Sequence, residues 1–408
     1  MRQTMSKCEL KVDVLTAARE RIAWVFDKFK HVYLSGPSGK DSTVMMHLVC
    51  QEARRRKLEV GVLYIDLEAQ YKVTIDTVRR MFAEYADCTK PYWVALPLHL
   101  RNAVSMTEPY WCCWETSARD KWVRQPEPNS ITDTSRFPFY RDAMEFEEFV
   151  DEFGDWYGGG EPTACFVGIR SDESLNRWRT IASKKKQRIE DKPWTTRKSP
   201  STCNVYPIYD WCTEDVWTYT ARERAIYNPL YDLMHAAGLT PHQMRICQPY
   251  GNDQRIGLHL YHVIEPETWS KVVARVAGAN HGALYSTESG NILGNRTITL
   301  PKGHTWKSYA KFLLESLPAS ERDDFEDKIA VFLHWYKERG YADGIPDESD
   351  PKLEAAKKVP SWRRIVKVIL KNDKLCKGLS FSQQSSSAKS RERYKKVMRS
   401  RRIEWGVL

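Results

Sequence analysis

Ten cysteines in 408 residues, with no Cys-x-x-Cys among them, leave this chain without the usual spacing for a zinc ribbon or an iron–sulfur cluster. Scattered at positions 8, 50, 88, 112, 113, 165, 203, 212, 247 and 376, they point to reduced thiols in a cytoplasm. No stretch approaches the roughly 18 to 20 uninterrupted apolar residues of a membrane span. The opening Met-Arg-Gln-Thr-Met-Ser-Lys carries no apolar secretory core, so a cytoplasmic chain without a membrane partner is expected. No internal repeat is visible. The Walker phosphate loop is missing as well. That loop needs four residues between its glycines and Ser or Thr after its lysine. Here only Pro37 and Ser38 separate Gly36 from Gly39, and Asp41 follows Lys40.

What is present begins with material for a core: 42% hydrophobic residues and 15 tryptophans, enough for about two to three domains. The net charge of +10 is uneven. Between Lys352 and Glu404 seventeen Lys or Arg face four acids, which leaves the rest of the chain close to neutral. The last part of that stretch, Ser385 to Arg402, suits a solvated helix or tail. It could neutralise a nucleic-acid backbone, meet an acidic protein face, or simply solubilise the chain.

The most informative stretch runs from His31 to Leu48. A β-type run, His31 to Leu34, enters the small-residue loop Ser35-Gly36-Pro37-Ser38-Gly39, and Lys40, Asp41 and Ser42 then open an apolar helix. A strand, a tight loop and a helix N-terminus make a phosphate cradle. Loop amides and the positive end of the helix dipole converge on anionic oxygens, and lysine adds a full charge.

The stretch resembles the pyrophosphate loop, Ser-Gly-Gly-x-Asp-Ser, of the adenine nucleotide α-hydrolase superfamily, whose members cleave ATP between the α and β phosphates. Gly39, Lys40, Asp41 and Ser42 fit that pattern, while the first half departs from it. Either Pro37-Ser38 replaces Ser-Gly, or two residues are inserted after Ser35-Gly36, so both Ser35 and Ser38 are candidates for the first hydroxyl. Further elements resemble phosphoadenosine phosphosulfate (PAPS) reductase-like proteins. These are Tyr64-Ile65-Asp66-Leu67-Glu68, the run Gly168-Ile169-Arg170-Ser171-Asp172-Glu173-Ser174-Leu175-Asn176-Arg177, and the run from Tyr206-Pro207-Ile208 to Asp215-Val216-Trp217. Asn228-Pro229-Leu230-Tyr231-Asp232 and Pro360-Ser361-Trp362-Arg363-Arg364 resemble the C-terminal domain of a subgroup that includes immunoglobulin-binding regulator A. Members of that subgroup are often encoded beside a ParB-like protein, which the resemblance implies as a partner.

Several roles follow for the matched residues. Asp66, at a strand end, could accept from a ribose hydroxyl or the adenine amino group, or could cap a turn. Arg170 and Arg177 offer forked donors to phosphate, sulfate or carboxylate. Glu173 either binds magnesium or holds the two arginines, and Asp41 is a candidate Mg2+ ligand beside the pyrophosphate oxygens. His259-x-x-His262-x-x-Glu265 has helical spacing for metal ligands, yet Gly257 to Ile264 suits an apolar strand equally. The adjacent thiols of Trp111-Cys112-Cys113-Trp114 suit core packing better than sulfur transfer.

The pattern along the chain predicts helices over 14–29, 40–52, 73–85 and 213–223, with strands at 31–34, 59–66, 93–98 and 163–169. That alternation is a doubly wound parallel α/β sheet, expected over residues 1–225. A mainly helical domain is expected over 226–384, including helices at 306–317 and 325–339, followed by a basic tail at 385–408. The resemblance implies an ATP α-hydrolase with Lys40, Asp41 and Arg170 in the chemistry. Ser35, Gly36, Ser38, Gly39, Lys40, Ser42, Asp66, Gly168, Arg170 and Arg177 would bind the nucleotide, with Asp41 and Glu173 on magnesium. PAPS or adenylyl sulfate would be the ligand of a reductase or sulfur-transfer enzyme. Such reductases carry a C-terminal Glu-Cys-Gly-Leu-His segment, which is missing from this sequence. A third expectation is a nucleotide-sensing subunit that acts without turnover beside a ParB-like or nucleic-acid-binding partner.

Overall fold

A computed structural model describes residues 11–102, 105, 108, 110–183, 186–241, 243–246, 259–280, 298–317, 319–370, 373, 376–381 and 388–406. The chain divides into two compact units, one of Met1–Val104 and Tyr110–Ala283, the other of Ser105–Pro109 and Leu284–Leu408.

The first unit opens with α1 (Val14–Lys28), whose Asp13 accepts from the amides of Leu15 and Thr16, and which buries Ala18, Ile22, Val25 and Phe26 on one face. There follow β1 (His31–Ser35), α2 (Lys40–Arg56), β2 (Val60–Ile65), α3 (Lys72–Glu84) and β3 (Thr89–Val94). The hairpin strands β4 (Leu98–Arg101) and β5 (Tyr110–Cys113), α4 (Phe146–Gly158), β6 (Thr163–Phe166) and α5 (Leu175–Ala182) come next. β7 (Thr195–Arg197), β8 (Thr202–Val205), α6 (Thr213–Glu223), α7 (Leu230–Ala236), α8 (His259–Ile264) and α9 (Pro266–Arg275) complete this unit.

Six strands form one sheet in the order β3-β2-β1-β6-β8-β7, parallel except for β7. Every residue of β2 and β6 is buried, as a parallel sheet covered on both faces requires. The doubly wound α/β architecture is therefore the one expected. The strand expected at 93–98 instead ends at Val94, and Leu98 begins the separate hairpin; Pro97 lies between them and can donate no ladder hydrogen bond. Residues 259–264 are helical, not a strand.

The described residues of 226–280 pack with this first unit, although their pattern resembles the helical region that follows. Leu230, Tyr231, Met234, Leu260 and Trp269 share a core with Leu63, Leu67 and Tyr71. The second unit is mainly helical, with α10 (Trp306–Glu315), α11 (Ala319–Lys337), α12 (Pro351–Ala355), α13 (Trp362–Leu370) and α14 (Ala388–Trp405). Trp306, Phe325, Ile329, Trp362, Ile365 and Ile369 form its core. Residues 385–387, where the basic tail was expected to begin, lie outside the described residues. Among the described residues no helix is long and apolar enough to cross a membrane.

Candidate functional site

β1 and β6 are neighbours, but the chain leaves β1 toward β2 on one side and reaches β6 on the other. Their carboxyl ends therefore open the crevice that doubly wound sheets use for ligands. The loop after β1 turns through Gly36 at a φ of +71°, a left-handed conformation that glycine adopts without a Cβ penalty. Its amide donates to the Leu63 carbonyl at 2.9 Å, and the Ser38 amide donates to the Gly36 carbonyl at 2.9 Å. Gly39 then caps α2, where Ser42 reaches back, its Oγ accepting from the Gly39 amide at 3.2 Å and donating to the Gly39 carbonyl at 3.1 Å. Gly168, just past β6, lets the second loop lie against that helix start. A Cβ there would sit 2.8 Å from the Ser42 amide nitrogen.

Between the two loops lies a cavity of about 500 Å³, within the range of small-molecule sites. One wall is Ser35, Gly36, Ser38, Gly39, Lys40, Asp41 and Ser42; the opposite wall includes Gly168, Glu173, Ser174 and Arg177. Ser35 and Ser38 both line it, so either hydroxyl is within the crevice. Tyr231, Arg245 and Ile246 close the remaining side. Sequence reasoning did not assign these three to the site. The Asn-Pro turn signal at Asn228-Pro229 was the trace available, and it marked a bend without saying what the bend approaches.

Charges in the cavity are arranged in a chain. Asp41 Oδ1 accepts from Arg170 Nε at 2.5 Å, and Asp41 Oδ2 lies 3.4 Å from Lys40 Nζ. Arg170 is only 1% exposed, and its remaining forks face the Trp211 carbonyl and Thr213 Oγ1, both at 3.4 Å. It was expected to grip the ligand, but it sits behind Asp41 and holds that carboxylate in place.

Asp66 departs from expectation in the same way. It is fully buried, and its carboxylate accepts from Trp93 Nε1 at 2.9 Å, from the Glu68 amide at 3.1 Å and from Arg124. Glu68 is buried too, held by Arg275 Nε at 2.9 Å and the Trp114 amide at 2.7 Å. The Tyr64–Glu68 run thus supplies two internal ion pairs and none of the cavity lining.

On the opposite wall, Glu173 lies 3.6 Å from Arg177 Nε, and its carbonyl accepts from Arg245 at 2.7 Å. Asp41 and Glu173 are the cavity's two carboxylates among the described residues, and each already faces a cation. Two carboxylates already paired with cations suit a magnesium ion carried on nucleotide phosphates better than a resident one. Among the described residues no group of three His, Cys, Asp or Glu could hold a metal. Glu265 of the His-x-x-His-x-x-Glu run instead accepts from the amides of Lys72 and Val73 at 2.9 and 3.2 Å, and so caps α3.

The paired thiols are packed rather than poised. Cys112 and Cys113 sit on β5, where burial pushes the Cys112 thiol up to about 12 and the Cys113 thiol well above its ordinary value. Burial likewise pushes Cys376 up to about 12. Among the described residues no cysteine lines the cavity. Cys8 and Cys247 lie outside them.

Comparison with known proteins matches residues 31–237 to the phosphoadenosine phosphosulfate reductase domain. Residues 238–344 and 342–390 match a domain of unknown function, DUF3440. The uncharacterized protein YbdN of Escherichia coli strain K12 is 44% identical over 405 residues, 98% of each chain. The uncharacterized protein MJ0066 of Methanocaldococcus jannaschii is 25% identical over 203 residues, covering 50% of this chain and 34% of that protein. A PAPS reductase from Candida auris, solved as a phosphate complex, aligns over 56% of this chain and 94% of its own, with a TM-score of 0.29 and 15% identity.

Proposed function

The chain belongs to the phosphoadenosine phosphosulfate reductase domain family, and from that premise we propose that it is an ATP α-hydrolase that activates an acceptor by adenylation. The observation that carries this reading is the Ser35–Ser42 wall, with Lys40 and the start of α2 facing a cavity of about 500 Å³. An oxygen of the acceptor, or of water, attacks the α phosphorus. The bond from that phosphorus to the bridging oxygen breaks, and pyrophosphate departs with the bond's electron pair. The Lys40 ammonium, with the Asp41 and Ser42 amides at the start of α2, offsets the charge developing on pyrophosphate. Asp41 does not touch phosphate in this scheme. Pinned by Arg170, it orients the Lys40 ammonium. Magnesium enters as the nucleotide's own companion, bound through phosphate oxygens, and no step is assigned to it.

Thiol chemistry has less support, because the described cysteines lie away from the cavity and most are buried. Cys247 follows the lining residue Ile246 in sequence, which makes Cys247→Ser the variant that separates the two chemistries. The test is product analysis with α-labelled ATP, with and without candidate acceptors. Pyrophosphate with AMP, or with an adenylated acceptor, is the expected result, unaffected by Cys247→Ser. Sulfite from PAPS, lost in that variant, would replace this reading with reduction. Nucleotide binding without products would replace it with sensing beside a ParB-like or nucleic-acid-binding partner.

A further inference from the structure

We infer that Asn228, just before α7, and Tyr231, in the first turn of α7, are positioning residues that hold the phosphate loop in its binding shape. The inference rests on the nucleotide reading of the cavity. The backbone of the loop is held from outside at two points on either side of Gly39. Asn228 Nδ2 donates to the Ser38 carbonyl at 3.2 Å, and the Lys40 amide donates to Tyr231 Oη at 2.9 Å. Both partners come from about 190 residues further along the chain.

The clasp is itself anchored. Asn228 is fully buried, donates to Thr74 Oγ1 on α3 at 3.0 Å, and accepts from the Leu230 amide at 3.0 Å, which shapes its own turn. The Tyr231 ring packs edge-on against Trp217 at 5.3 Å between centroids, with Lys40 Nζ 5.7 Å from its own centroid. One residue therefore fixes both the backbone and the ammonium of Lys40.

The loop has a physical need for such a device. Its two glycines, Gly36 and Gly39, lie three positions apart in a run of small residues. Glycine gives up more conformational freedom than any other residue when a loop orders around a ligand. A loop already tied at Ser38 and Lys40 has less of that entropy left to lose, so nucleotide binds more tightly for the same contacts.

The test compares the full-length wild-type chain with Tyr231→Phe and Asn228→Ala. Three quantities are read: amide hydrogen exchange without nucleotide, ATP affinity by calorimetry, and the melting midpoint. Tyr231→Phe keeps the ring, so it remains informative if Asn228→Ala folds poorly. In Tyr231→Phe, exchange is expected to rise in peptides covering residues 35–43 while the rest of the sheet and the midpoint stay as in the wild type. ATP affinity is expected to fall about five- to tenfold, the scale of one hydrogen bond. Unchanged exchange at 35–43 in Tyr231→Phe would overturn the inference. So would a rise spread evenly across the sheet with a lowered midpoint, which is the mark of a merely structural residue. If exchange rises locally and the wild-type chain binds no ATP, the clasp stands as a property of the loop and the nucleotide reading fails.

Discussion

At the scale of single residues, the chain Lys40–Asp41–Arg170 separates two kinds of loss. Lys40 faces the cavity, whereas Arg170 is buried behind Asp41. Lys40→Ala is expected to cut turnover on the order of a hundredfold while leaving the melting midpoint close to wild type, because Asp41 keeps its bond from Arg170. Arg170→Ala removes the fully buried partner of a carboxylate and should cost about 3 kcal/mol of stability as well as activity. Thermal melts beside steady-state rates check both; equal stability loss in the two variants would contradict this division. The thiols make a second residue-scale prediction. With Cys112 and Cys376 pushed up to about 12 by burial, neither is a thiolate near neutral pH. Native protein treated with iodoacetamide at pH 8 should leave both unlabelled by mass spectrometry, and Cys112→Ser and Cys376→Ser should retain ATP cleavage.

At the scale of elements, the Pro360–Arg364 motif joins helices rather than forming a site. Ser361 Oγ donates to Glu354 on α12 at 2.5 Å, Arg363 Nε does so at 3.0 Å, and Arg364 donates to the carbonyls of Val359 and Gly378 at 2.8 and 2.9 Å. Burial opposes the Glu354 charge, yet the donors Ser361 and Arg363 outweigh it and hold the carboxyl below its ordinary value. A depressed carboxyl contributes stability above the unfolded-state pKa and loses it as pH falls through the folded value. Glu354→Gln should therefore lower the melting midpoint at pH 7, by an amount equivalent to roughly 2 to 3 kcal/mol. The gap from wild type should narrow as the pH is taken from about 5 downward. A gap independent of pH would mean that the charge of Glu354 is not what matters.

At the scale of the whole molecule, the concentrated basic charge has an acidic counterpart within its own unit. On α14, Arg399 lies 2.8 Å from Asp323 and Arg402 lies 3.0 Å from Glu326 and 3.2 Å from Asp327, all on α11. Trp405 stacks on His334 with centroids 4.1 Å apart. Part of the positive charge is thus spent internally, while Lys396 and Arg401 stay exposed. Deleting residues 386–408 should lower the melting midpoint of the chain, and the deficit should shrink at high salt as the exposed pairs are screened. ATP affinity should be unchanged. A gel shift with the full-length and shortened chains tests nucleic-acid binding through the same segment. Retention by the full-length chain alone, falling steeply with salt, is the expected sign of phosphate neutralisation.

Much of this protein was legible in its sequence because the signals were local. The run of β1, the small residues of the loop and the start of α2 are contiguous, so a strand, a turn and a helix N-terminus could be inferred from neighbours in the chain. The buried run of β2 and the apolar stretch that starts with β6 carried the parallel sheet for the same reason, while β7 (Thr-Thr-Arg) and β8 (Thr-Cys-Asn-Val) hold too few apolar residues to register. Which charged residues reach the ligand was another matter. Asp66, Arg170 and Arg177 look equivalent as polar residues after strands, yet Asp66 and Arg170 are buried among internal partners and Arg177 lines the cavity. That difference is set by what packs against each side chain, such as Trp93 and Arg124 against Asp66, or Asp41 and Thr213 against Arg170. The sequence by itself determined the α/β sheet and the position of the glycine loop between β1 and α2, because short-range sterics and hydrophobic periodicity are enough for both. Only the tertiary structure decided what surrounds that loop, since Asn228 and Tyr231 reach it through folding of distant chain, and no local pattern encodes a contact made across about 190 residues.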